Sequence, residues 1–125
     1  MTDVPQSRSL HPGLLRLGAG VMFLGVSLGA FGAHGLEHIL EKYDRVATWD
    51  TAVLYHLVHG LTLVLLAVLG PRPLKGPAWC FTLGILLFSG SLYILSLTNV
   101  GVWGAVTPFG GVAFLAGWLW LLIKP

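Results

Sequence analysis

Residues 14–36 read LLRLGAGVMFLGVSLGAFGAHGL, with Gly29-Ala30-Phe31-Gly32-Ala33-His34-Gly35-Leu36 closing an apolar run that holds one charge, Arg16. A helix crosses a bilayer core of about 30 Å with about 20 such residues. Arg16 stands near the start, where its stem can lie in lipid while the guanidinium reaches the headgroups. Residues 51–69, 78–98 and 102–123 form three more runs, none with Asp, Glu, Lys or Arg. The pattern predicts an all-α transmembrane four-helix bundle, a single membrane domain over residues 1–125.

Composition agrees. Apolar residues make up 55% of the chain and charged residues 10%, against about 25% charged in an average soluble domain. A water-soluble chain of 125 residues has too little interior to hide that much apolar surface. The formal charge of +2 is spread over few residues, so no nucleic-acid partner is expected and no polybasic lipid-reading cluster is present. The single Cys80 lies within an apolar run, which excludes an intrachain disulfide and a CxxC metal motif and reads as filler. The start of the chain imitates a signal peptide, but its apolar stretch is long for one, and an uncleaved first span is expected.

Four crossings put both termini on one side. Arg8, Arg16, Arg72, Lys75 and Lys124 go with them, whereas the opposite side holds only Lys42 and Arg45. The positive-inside bias therefore predicts a plasma (inner) membrane protein with both termini cytoplasmic. Tight breaks at Gly70-Pro71-Arg72-Pro73 and Asn99-Val100-Gly101 predict antiparallel neighbours. Between the first two spans, Leu36, Ile39, Leu40, Tyr43 and Val46 recur at helical spacing, with Glu37, Glu41, Lys42 and Arg45 between them. That pattern predicts a short amphipathic helix on the outer surface, followed by a cap at Asp50 or Thr51. The tail before Leu14 is expected to be disordered or surface-lying, with His11 in solvent.

Small residues mark expected packing faces. Gly25, Gly29 and Ala33 form an i, i+4, i+8 ridge, and Ala113 and Gly117 repeat the idea in the fourth span. Trp49, Trp103, Trp118 and Trp120 read as interfacial anchors.

The chemistry-bearing residues are few. His56 and His59 are i, i+3; counted from Thr51 at ~1.5 Å per residue, His59 lies about 12 Å into the bilayer. His34 ends the neighbouring span. Tyr55, Ser89, Tyr93, Ser96 and Thr107 all fall in the outer halves of their helices, and Pro108 can open the backbone ladder beside Thr107. A shared outer-leaflet polar cluster of His34, Tyr55, His56, His59, Ser89, Tyr93, Ser96 and Thr107 is expected. Four readings of it stand open. The plainest is hydrogen bonding that holds the bundle in register. A metal or haem held by His34 with His56 or His59 is the second. A proton or small-solute path is the third. An enzyme is the weakest, because no nucleophile–base pair can be named and no carboxylate lies inside a span. His38, Glu41 and Asp44 read as a solvated face.

Gly29 to Leu36, followed by Trp49-Asp50-Thr51-Ala52-Val53-Leu54-Tyr55-His56-Leu57-Val58-His59-Gly60, resembles the domain-of-unknown-function family numbered four hundred and twenty-three. These are small four-span membrane proteins with a Gly-Ala-Phe-Gly-Ala-His-Gly signature, and their animal relatives are mitochondrial-type. The resemblance covers nearly the whole chain. Many members carry glutamine after the tyrosine, so it favours His34 and His59 over His56 as a pair. It brings no activity, cofactor or substrate. The expectation is a small integral membrane protein, structural or accessory, with lipid around it and a homo-oligomer or membrane-complex partner open. The alternative is a binding or transport module for a metal, haem or proton.

Overall fold

The computed structural model describes residues 10–70 and 74–125. Arg8, Arg72 and the Pro71-Arg72-Pro73 part of the expected turn lie outside the described residues. Helix α1 runs over Pro12–Ala33, α2 over Glu37–Lys42 and α3 over Val46–Leu69. Helix α4 (Lys75–Gly84) continues through a π-helical turn, Ile85–Ser89, into α5 (Gly90–Thr98), and α6 runs over Val102–Ile123. The stretches Pro12–Ala33, Val46–Leu69, Lys75–Thr98 and Val102–Ile123 are long and apolar enough to cross a membrane. The fold is an all-α four-helix bundle. One end carries Leu10 and Pro125 (the terminal end); the other carries α2 (the connector end).

The connector differs from its expectation. Only Glu37–Lys42 is a separate helix. Asp44 turns the chain with a left-handed φ of 54°, a conformation that Asp and Asn tolerate better than most residues. The second span then starts at Val46, five residues before Thr51. Neither Asp50 nor Thr51 caps it; the Thr51 hydroxyl donates to the Ala47 carbonyl inside the helix. Asn99, with φ 53°, closes α5 in the same way. Arg45 Nε donates to Asn99 Oδ1 at 3.2 Å, pinning the two left-handed corners together.

Helix α3 is central. It meets α1 on one side and the α4–π–α5 helix on the other, and α6 packs along α4–α5. The α1–α3 seam has a seven-residue rhythm. A Cβ on Gly18 would stand 2.8 Å from Val64 Cγ2 and 3.3 Å from the Leu63 carbonyl carbon. One on Gly25 would meet His56 and Leu57, and one on Gly32 would run into the Trp49 indole. Gly18, Gly25 and Gly32 thus face Leu63, His56 and Trp49, both sets spaced by seven. A seven-residue repeat keeps two helices side by side at a shallow crossing angle. This corrects the i, i+4, i+8 ridge. Gly25 belongs to the seam and Gly29 touches Val53 at its margin, but Ala33 is exposed.

On the other side Leu63, Ala78, Phe81, Ile85 and Phe114 form the apolar core. Glycine again sets the spacing: Gly84 receives the Phe114 ring, Gly117 the Phe81 ring, and Gly110 lies on the Phe88 backbone. The π turn closes with the Gly90 N–H on the Ile85 carbonyl. Its extra residue advances the side chains that follow, aiming Ser89 at α3.

Candidate functional site

The expected single polar cluster is two separate units on neighbouring faces of α3, one turned to α1 and α5 and the other to α4 and α6. In the first, His56 is buried between α1 and α5. Its Nε2 lies 2.8 Å from the Val21 carbonyl oxygen, and its Nδ1 lies 2.9 Å from the Tyr93 hydroxyl. A carbonyl can only accept, so Nε2 carries the proton and Nδ1 accepts from the tyrosine. The Val21 carbonyl sits in mid-helix, four residues before Gly25, and the imidazole reaches it because Gly25 has no side chain. Trp49 does the same one heptad on. Its Nε1–H donates to the Leu28 carbonyl at 3.0 Å, across the bare Cα of Gly32. The Trp49 ring also packs on Tyr93, with centroids 4.8 Å apart. Trp49 is 1% exposed, so it is no headgroup anchor.

The second unit is His59. Nδ1–H donates to the Tyr55 carbonyl at 2.8 Å, and Nε2 accepts from the Trp118 indole N–H at 3.0 Å. The ring stacks on Phe114, centroids 3.7 Å apart and planes 11° apart, with Phe81 and Trp118 around it. His59 is the fourteenth of the 24 residues of α3. That is about 20 Å from the connector end, past the middle of the helix. The outer-leaflet placement of His59 is thereby corrected, because α3 starts before Thr51 and carries every depth count with it. Trp118, five residues from the end of α6 and 43% exposed, reaches down to this imidazole with its indole N–H.

The other candidates are scattered along the interfaces. Ser89 donates to the Ala52 carbonyl of α3 at 2.7 Å. Thr107 pairs with Ser91 at 2.6 Å, a partner the sequence reading missed. Ser96 turns back on its own helix, donating to the Leu92 carbonyl. Tyr55 is 40% exposed, its ring tilted against Phe88 on the rim of a groove between α3 and α6. That groove holds about 430 Å³, with His59, Pro108, Phe114 and Trp118 also on its walls.

His34 joins neither unit. It is exposed at the end of α1, where the chain folds back so that the Leu36 N–H meets the Phe31 carbonyl at 2.8 Å. The pairing of His34 with His56 or His59 around a metal or haem is corrected on that ground: the buried imidazoles point inward, far down α3. Among the described residues, no three His, Cys, Asp or Glu side chains gather as a metal site would need. His11, expected in solvent, is half-buried; its backbone N–H bonds the Ala67 carbonyl, tying the start of α1 to the end of α3.

The signals that could have found the missed residues are modest. Gly18, Gly25 and Gly32 repeat every seven residues, as do Trp49, His56 and Leu63. Two heptads of matching length in adjacent spans are the visible trace of the seam.

Comparison with known proteins agrees with a membrane setting. A family profile described as "Protein of unknown function (DUF423)" matches residues 28–111. The chain is 48% identical over 114 residues to the UPF0382 membrane protein YwdK of Bacillus subtilis, covering 86% of this chain and 90% of that one. It is 46% identical over 112 residues to a UPF0382 membrane protein of Staphylococcus haemolyticus, with 86% and 90% covered. No solved structure matches. Four apolar helices and relatives named as membrane proteins make this a small integral membrane protein of unknown activity, at home in a lipid bilayer. On the profile match and these identities, the chain belongs to the DUF423 family.

Proposed function

We propose that this protein is a structural or accessory component of the membrane, and that its buried histidines fasten helices to one another. One observation carries the reading: both ring nitrogens of His56 and of His59 already have protein partners. A ligand-binding imidazole needs a lone pair free for the ligand. Here each lone pair accepts from a fixed neighbour, Tyr93 or Trp118. The same saturation argues against a general base and against a proton relay, since the protonated nitrogens face backbone carbonyls that cannot pass a proton on. No enzymatic role is proposed, and no nucleic-acid partner; a second copy or another membrane protein as partner stays compatible with the exposed apolar faces.

The basic residues support an inner-membrane placement with both termini in the cytoplasm. Among the described ones Arg16, Lys75 and Lys124 gather at the terminal end, against Lys42 and Arg45 at the other.

The test is to purify the protein and its His56→Phe and His59→Phe variants in mild detergent. Absorbance, elemental analysis and thermal unfolding are then measured on each. The proposal expects no Soret band, no stoichiometric metal and a lowered unfolding temperature in both variants. A stoichiometric metal or haem in the wild type, lost in either variant without a stability change, would favour the binding or transport reading instead.

A further inference from the structure

Between α1 and α4 a groove of about 500 Å³ lies toward the terminal end, with Gly13, Leu14 and Leu17 on one wall and Lys75, Trp79 and Thr82 on the other. Its walls are apolar. The Thr82 hydroxyl is turned away to the Ala78 carbonyl at 2.7 Å, and the face of Trp79 is 66% exposed. At Gly13 there is open space where a side chain would stand.

The mouth is positive. Lys75 is exposed there, and every Asp and Glu among the described residues belongs to the connector end. Helices α1 and α4 both begin at this end, and neither has a side-chain cap or an acid in its first turn. Their free N–H groups add partial positive charge to that of the ammonium. An apolar slot with a cation at its membrane-surface end, and no acid beside it among the described residues, complements an anion with a hydrocarbon tail. From Lys75 to Thr82 the groove is about 10 Å deep. That is too short for a transmembrane helix to lie in, but suits the upper part of an acyl chain.

We propose that this groove holds one anionic phospholipid of the surrounding leaflet, its phosphate at Lys75 and an acyl chain along Leu17 and Trp79. A zwitterionic lipid gains less, because among the described residues no carboxylate side chain lines the groove to meet its ammonium group. The claim is independent of the fastening role of the histidines, since neither His56 nor His59 of α3 lines this groove.

The full-length protein is reconstituted into vesicles of equal phosphatidylglycerol and phosphatidylcholine and extracted in mild detergent. Retained lipid is then counted by native mass spectrometry. The expected result is one phosphatidylglycerol kept per chain in preference to phosphatidylcholine, and not displaced by inorganic phosphate. Lys75→Gln should cut that preference roughly fivefold, the order expected for one lysine at an anionic surface. Lys124→Gln, at the same end but on α6, should leave it intact. Gly13→Leu should expel the retained lipid by plugging the groove; if that variant unfolds, Leu17→Trp serves. Equal retention of the two lipids overturns the proposal. So does displacement by inorganic phosphate, or a preference that survives Lys75→Gln or falls as far in Lys124→Gln.

Discussion

The imidazole of His56 lies against the bare backbone of Gly25: a Cβ there would stand 3.1 Å from its Cδ2 and 3.3 Å from its Nε2. The missing side chain exposes the Val21 carbonyl to a donor from another helix. The same arrangement recurs seven residues on, with Gly32, Trp49 and Leu28. Helix α1, whose main partner in the bundle is α3, is therefore held by shape and by two hydrogen bonds into its own backbone.

Gly25→Ala should destabilise the protein by about 1–3 kcal/mol, the usual range for overpacking, since Leu57 Cδ2 would also lie 2.8 Å from the new methyl. Gly20→Ala is the control, because its position meets nothing within 4 Å. There the helix-propensity gain of up to about 1 kcal/mol should appear unopposed. Reversible unfolding in detergent compares the two; equal effects would remove the seam from the account.

His56→Gln should keep most of the stability that His56→Leu loses. An amide nitrogen can donate to the Val21 carbonyl while the amide oxygen accepts from Tyr93, the two roles the imidazole fills. His56→Leu leaves the Tyr93 hydroxyl buried without a partner, at about 1–3 kcal/mol. Unfolding midpoints of the three proteins rank the outcome, and a glutamine variant as weak as the leucine one speaks against a stabilising role for the two hydrogen bonds.

Trp118 and His59 should be energetically coupled. A double-mutant cycle with Trp118→Phe and His59→Phe is expected to give about 0.6–1.7 kcal/mol, the range between average and strongest pairs measured in a membrane protein. Additive effects would mean that the 3.0 Å contact stabilises nothing.

Orientation is open to labelling. In a Cys80→Ser background, His38→Cys on α2 should react with an impermeant maleimide added outside intact cells, whereas Lys124→Cys should react only after lysis. The reverse pattern would invert the proposed topology.

The corner formed by Arg45 and Asn99 supplies a last check. Asn99→Val places a β-branched residue at φ 53°, costing roughly 1–2 kcal/mol, while Asn99→Gly relieves the strain and loses only the Arg45 bond. Glycine should therefore outlast valine in thermal unfolding.

Much of the bundle was legible in the chain, because hydropathy acts residue by residue. Four stretches with almost no charge have nowhere to go but lipid, and they must form helices there because lipid offers no partner to a bare peptide group. The partners of the tryptophans were hidden for the opposite reason. Trp49 looks like an interface anchor until a helix carbonyl meets its N–H in the interior, and nothing in the chain pairs Trp118 with an imidazole. Those partners, Leu28 and His59, lie 21 and 59 residues away. His34 was read into the cluster because it shares a helix end with the right leaflet, yet a position along the chain says nothing of the direction its side chain takes.

Sequence alone thus determined the solvent, the number of crossings and the scarcity of polar groups, since each depends on transfer free energies that add along the chain. Only the tertiary structure decided that His56 turns to α1 and α5 while His59 turns to α4 and α6, and that glycines on a heptad open α1 carbonyls to His56 and Trp49. Those outcomes depend on which helices pack and at what rotation, and one residue of register in α3 or one π turn in its neighbour changes every pairing.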